Sequence, residues 1–196
     1  MSDEPEGPIA LPEALPEALP EAQPEAHSVP GVQMRGRMAD RDSWTADRCS
    51  IGRALDVVGT RSAILLMREA YYGTTRFDDF ARRVGITEAV AATRLKELVA
   101  AGLLIRRPYR EPGQRTRYEY RLTEMGRDLA LAALALMQWG DRYLSGPSGA
   151  PVALRHADCG ADVRIEARCA AGHHVPLGEV SAGFVSARSL DPVEPG

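Results

Sequence analysis

TRFDDFARRVGITEAVAATRLKELVAA, residues 75–101, is the stretch that decides the fold. Phe77, Phe80, Ala81 and Val84 recur at helical spacing and Gly85 stops the run, which predicts a short helix burying those four positions. Val84-Gly85-Ile86 leaves room only for a tight turn. Thr87 then caps a longer helix from Glu88 to about Ala101, with Ala91, Leu95 and Leu98 facing inward and Gly102 at its end.

Outward from this pair, both flanks supply the rest of a small core. On the N-terminal side, Ile51, Ala54, Leu55 and Val58 share one helical face closed by Gly59. Arg61–Tyr72 predicts a second helix, central to the core because Ile64, Leu65, Leu66 and Met67 wrap most of its circumference. On the C-terminal side, Leu104–Tyr109 and Arg117–Leu122 read as strands joined by a Pro112-Gly113 hairpin loop. A last helix runs from a Thr123 cap through Leu144. Its stripe of Leu129, Ala132, Ala133, Leu136 and Gly140, with Leu131, Leu134 and Met137 beside it, exceeds what the core can cover, so a homodimer interface is expected. Short helix, tight turn, longer helix and then a hairpin is the winged helix-turn-helix arrangement, an α+β fold whose second helix enters a DNA major groove.

Charge agrees with that reading. The 196-residue chain carries a net charge of −3, but residues 1–26 hold seven acids and no Lys or Arg. Between Cys49 and Ser145 there are 16 bases against 11 acids, a bias toward a polyanion. The N-terminal segment repeats Leu-Pro-Glu-Ala from Leu11 and ends with Gln23-Pro-Glu-Ala. Proline at every fourth residue removes an amide donor from each helical turn, so residues 1–47 are expected to be a disordered acidic arm and linker. The domain is placed at residues 48–145, and residues 146–196 form a Gly/Pro linker and a small ribbon-like extension. Three cysteines, the lack of a signal-like N-terminus and the lack of an apolar run near ~20 residues point to a cytoplasmic protein outside the membrane.

The face of helix 88–101 opposite the core presents Thr87, Glu88, Ala92, Thr93 and Lys96, with Arg94 alongside. Hydroxyls and a cation can bond base edges, and alanine lets the helix lie close to them. Arg110, Arg115 and Arg117 cluster at the hairpin loop, with Arg106 and Arg107 on the strand leading in. Such a finger suits phosphates or a narrow minor groove.

With these pieces in order, the chain resembles the HxlR-type winged-helix regulators of bacteria, relatives of the MarR-like repressors. The resemblance rests on Cys49, Ala54-Leu55-Asp56-Val57-Val58-Gly59, Ile64-Leu65-Leu66, Arg68-Glu69 and Gly73-x-x-Arg76-Phe77. It continues through Gly85-Ile86-Thr87, Arg94-Leu95-Lys96-Glu97-Leu98, Gly102-Leu103, Tyr109-x-x-Pro112, Tyr120-x-Leu122-Thr123-x-x-Gly126 and Trp139-Gly140. It implies a homodimer built by the first and last helices, a palindromic operator, base reading by Thr87–Lys96 and a wing carrying Arg115 and Arg117. Ser62 stands where the family usually has tryptophan.

In some relatives a cysteine at the position of Cys49 senses oxidants or electrophiles; here Arg48 and Arg53 and a helix start would favour its thiolate. The alternative is a small residue packed at the dimer interface. Some longer relatives carry a tail resembling a zinc ribbon. In this chain His156, Cys159, Cys169 and His173 are the candidate ligands, although Gly172 stands where the fourth would be. A metal-free β-hairpin and a Cys159–Cys169 redox pair are the other readings. No nucleophile is accompanied by a base and an orienting carboxylate, and no glycines form a phosphate loop, so an enzyme is not expected. Double-stranded DNA and an unidentified small-molecule or redox effector are the expected partners. The competing reading is a winged helix used as a protein–protein module.

Overall fold

A computed structural model describes residues 31–45, 49–110 and 116–185. Its element order is β1 (Gln33–Met34), α1 (Ser50–Val58), α2 (Arg61–Tyr71), α3 (Phe77–Val84), α4 (Glu88–Ala100), β2 (Leu104–Tyr109), β3 (Arg117–Leu122), α5 (Glu124–Asp128), α6 (Ala130–Leu144) and β4 (Ser181–Ala182). The acidic repeat and wing residue Arg115 lie outside the described residues.

α2 is the hub. The Thr60 hydroxyl accepts the Ala63 amide at 3.2 Å and starts the helix, a side-chain cap for an otherwise orphaned donor. Leu66 and Met67 are fully buried against Phe80 and Val84 of α3, Leu95 and Leu98 of α4, and Leu104 of β2. At its C-terminal end α2 buries Glu69, whose carboxylate is bonded by Arg68 at 2.8 Å and by the Thr74 hydroxyl at 3.2 Å. Arg83 of α3 in turn donates to the Thr74 hydroxyl at 2.7 Å. A buried carboxylate is tolerated when its oxygens are bonded in this way, and here it ties the end of α2 to α3.

Gly85 ends α3 in the left-handed region at φ 70, with its amide bonded back to Ala81 and Arg82. A side chain disfavours that conformation, which is why the turn into α4 can be so short. β2 and β3 pair antiparallel in the register Leu104↔Leu122 to Tyr109↔Arg117. The hairpin is joined to the helices: the Tyr120 amide donates to the Thr75 carbonyl at 2.8 Å, Arg76 bridges Glu119, and Phe80 meets Tyr120 edge-on at 6.0 Å.

Three features differ from the sequence expectation. The helix expected over 123–144 is divided at Leu129, whose amide reaches the Met125 carbonyl only at 3.4 Å. The turn tightens where Gly126 is held: its carbonyl accepts the Tyr71 hydroxyl at 3.1 Å, and a Cβ there would overlap the Leu103 carbonyl oxygen. Burial pushes the Tyr71 phenol up to about 12, so it remains a donor throughout the physiological range. Secondly, of the apolar face expected on α1, only Val58 is buried, whereas Ile51 is 70% and Leu55 57% exposed. Thirdly, the linker expected to reach residue 47 is structured over part of its length. β1 pairs parallel with β4, Gln33 side-chain nitrogen donates to the Gly178 carbonyl at 2.9 Å, and Trp44 meets Phe184 edge-on at 5.7 Å. These contacts are long-range, which local patterning does not register.

Residues 154–175 form two similar turns. In the first, the amides of His156 and Val163 bond the Ala161 and Leu154 carbonyls; in the second, those of Cys169 and Val175 bond the His173 and Ala167 carbonyls. The Gln138 side chain of α6 holds the backbone between them, donating to the Val163 carbonyl at 2.7 Å and accepting from the Ile165 amide at 2.9 Å.

Gly126→Ala is expected to lower stability by about 1–3 kcal/mol through forced separation of α5 from Leu103, read as a drop in Tm; an unchanged Tm would show that this approach is not tight.

Candidate nucleic-acid interface

α4 stands with its inner face closed and its outer face open. The Thr87 hydroxyl accepts the Val90 amide at 3.3 Å and caps the helix, while Ala91, Leu95 and Leu98 are buried. Thr87, Glu88, Ala92, Thr93 and Lys96 are all exposed, as the helical spacing predicts. Two of these side chains have helical duties as well. Thr93 donates its hydroxyl to the Ala89 carbonyl at 3.0 Å, and Arg94 pairs with Glu97 at 2.6 Å. Arg94 therefore lies along its own helix, a step away from the open face.

The wing is stiffened by stacked guanidinium groups. Arg106 lies over the Tyr118 ring at 3.6 Å, and Arg76, at the start of α3, lies over the Tyr109 ring at 3.3 Å. Both distances are within the range in which a cation is attracted to an aromatic face. Arg121 grips Glu119 with bonds of 3.0 and 3.3 Å. That hydrogen bonding, with the charges of Arg121, Arg76 and Arg107, holds the Glu119 carboxyl below its ordinary value of 4.5. Arg110 and Arg117 sit exposed at the two ends of the hairpin loop.

Between α3, α4 and the wing is a groove of about 690 Å³ whose lining includes Ala92, Lys96, Arg106 and Arg117. It brings together helix and wing residues that the sequence could only place on separate elements. Arg76 belongs to the same lining and was not foreseen as a site residue. Its signal was the Gly73-x-x-Arg76-Phe77 pattern, which gives no hint that the side chain turns toward the wing.

The remaining candidates lie elsewhere. Cys49 is an exposed free thiol at the N-cap of α1, and its carbonyl accepts the Arg53 amide at 3.0 Å. His156 Nδ1 lies 3.2 Å from Cys159 Sγ, but Cys169 and His173 do not join them. Among the described residues no group of three or more His, Cys, Asp or Glu side chains is gathered to hold a metal ion. A structural zinc takes four ligands, and this arrangement offers an adjacent pair. The tail turns are closed by backbone hydrogen bonds, and Arg155 and Arg168 donate to the Gly160 and Gly172 carbonyls. Ser62 is half-buried in the first turn of α2, 3.5 Å from the Thr60 hydroxyl.

The family model for the HxlR-like helix-turn-helix matches residues 57–147. An HTH-type transcriptional regulator of Mycobacterium tuberculosis, Rv3095, is 50% identical over 118 residues, 59% of this chain and 73% of that protein. The chain belongs to the HxlR-like helix-turn-helix family. Two solved structures named as candidate transcription factors agree with the fold. PA1607 has a TM-score of 0.63 at 32% identity, covering 72% of this chain and 96% of its own. PA1374 of Pseudomonas aeruginosa has a TM-score of 0.52 at 36% identity, covering 71% and 94%. Both coverages extend beyond the winged helix. The HxlR-like relatives are transcriptional regulators and not enzymes, which agrees with a site of exposed cations and hydroxyls.

The sign of the Glu119 shift predicts its pH response. A carboxyl held below its unfolded value stabilises the wing above the ordinary carboxylate range, and this is lost as pH falls through the lowered folded value. An NMR titration should place the Glu119 midpoint below 4.5; a midpoint at or above it would mean that the Arg121 grip is absent in solution.

Proposed function

We propose that this chain is a homodimeric, sequence-specific DNA-binding regulator that represses by occupying a palindromic operator, with α4 in the major groove and the wing on the backbone or in the minor groove. One observation carries the reading: the slim open face of α4 and the arginine-bearing wing border the same groove, with Lys96 and Arg117 both in its lining. Ala92 and Thr93 let the helix approach base edges, and Lys96 supplies a donor to guanine or phosphate. The wing cations Arg110 and Arg117, with Arg115, supply contacts that set orientation without reading sequence.

Dimerisation is supported by the apolar surface that a single chain leaves uncovered. Ile51 and Leu55 of α1 and Leu131, Leu136 and Trp139 of α6 are each more than half exposed. A two-fold pair through α1 and α6 would cover these side chains and place two copies of α4 on successive half-sites. Cys49, at the first residue before α1, stands where modification of a thiol would bear on that pairing.

Fluorescence anisotropy with duplex DNA from the gene's own upstream region is the test. Binding should weaken steeply with salt as counterions are released, and Lys96→Ala or Arg117→Ala should each reduce the slope by about 1. Failure to bind such DNA at low salt, or slopes unchanged in both variants, would favour the protein–protein reading.

A further inference from the structure

We propose that the Leu-Pro-Glu-Ala repeat of residues 11–26 docks in a groove between α6 and the tail turns of the same chain, its prolines on Trp139 and Tyr143 and its glutamates on Arg142 and Arg164. The groove is about 550 Å³ in volume, and these four side chains all line it. Trp139 and Tyr143 are one helical turn apart, with ring centroids separated by 5.7 Å, and both are half exposed. Arg142 stands 5.2 Å from the centre of the Tyr143 ring. From the tail come Arg164, Ile165 and Glu166. Their backbone is fixed to α6, because the Gln138 side chain bonds the Val163 carbonyl and the Ile165 amide. Glu166 is already engaged by Arg168 at 3.0 Å, whereas Arg142 and Arg164 form no ion pair among the described residues. The groove therefore presents two aromatic rings beside two cations that no carboxylate neutralises.

The repeat lies outside the described residues, and its sequence supplies the match. Proline at every fourth position opposes a helix and favours the extended polyproline form. Aromatic-lined grooves take up that form because little entropy is lost in ordering it. Pro12, Pro16, Pro20 and Pro24 are each followed directly by glutamate, so a unit seated on the rings carries a carboxylate beside them, and a guanidinium fits a carboxylate with two parallel bonds. Charge runs the same way, since residues 1–26 hold seven acids and no Lys or Arg. The point at which the arm joins the described chain also agrees. Gln33 and Met34 pair with Ser181 and Ala182, so the arm departs from a strand held by the same C-terminal region that lines the groove. Sixteen residues in the polyproline form span about 50 Å at about 3.1 Å each, which offers four successive units to one site. Tethering makes each encounter intramolecular, with an effective concentration in the millimolar range for a short link, so contact by one unit at a time is sufficient.

The experiment is NMR on the full chain, following the Trp139 indole N–H and the Ile165 amide. In a chain carrying Pro12→Gly, Pro16→Gly, Pro20→Gly and Pro24→Gly, both signals should move, and a synthetic peptide of residues 11–26 should return them toward their wild-type positions with a Kd of about a millimolar or below. The wild-type chain should bind the same peptide about fivefold or more weakly, because its own arm holds the groove. Adding Arg142→Gln and Arg164→Gln to the proline-altered chain should weaken the peptide by about fivefold or more. Should that chain fail to fold, a peptide with glutamine at its four glutamates tests the same contact from the other side, with the same loss expected. Signals unmoved by the proline changes, no peptide binding at millimolar concentration, or equal binding to wild-type and proline-altered chains would each overturn the proposal. Trp139 is also among the side chains assigned above to a second copy. Signals that move on dilution of the chain and not with the proline changes would give the groove to that copy and overturn docking of the arm.

Discussion

The backbone hydrogen bond from the Tyr120 amide to the Thr75 carbonyl at 2.8 Å ties the wing to the helices. β2 and β3 alone would be a two-stranded hairpin, which is marginal in water. That bond, part of the backbone bridge between Arg76 and Glu119, and the Phe80–Tyr120 contact attach it to the start of α3. Since α3 also determines where α4 begins through Gly85, the wing and α4 share one reference. Their separation is therefore a property of the core rather than of the loop between them.

The core in turn is organised by α2. Leu66 and Met67 contact the elements on either side, and Glu69 satisfies donors from Arg68 and Thr74 that would otherwise be stranded near the end of the helix. Such a chain of buried polar contacts is worth keeping only when each member is satisfied. Tyr71, two residues on, bonds α5 through the Gly126 carbonyl. The result is a domain whose stable parts face inward while α1 and α6 leave apolar side chains exposed.

Much of this was legible in the residues because it is local. The inward face of α4, the Thr87 cap, the Gly85 turn and both strand boundaries follow from periodicity and turn chemistry, and the structure has them in the same places. What escaped was whatever depends on distant partners. Nothing near Arg76 says that it will stack on Tyr109, and nothing in β1 says that it will meet β4 from across the chain. The spacing of His156, Cys159, Cys169 and His173 suggested a metal knuckle; of the four, His156 and Cys159 stand 3.2 Å apart, and among the described residues no group of three or more ligand side chains is gathered. Exposure of Ile51 and Leu55 is a different kind of miss, since periodicity identifies an apolar face without saying which chain covers it. Membership of the HxlR-like family supplies the regulatory context for these features.

The most direct measurement of the central claim, that α4 and the wing act as one DNA-binding unit, is amide hydrogen exchange of the full chain with and without operator DNA. Protection should rise together in residues 88–96 and 104–122, with no comparable change in the tail turns at 154–175. Bound DNA that leaves both of those segments unprotected, or protects only one, would contradict the account.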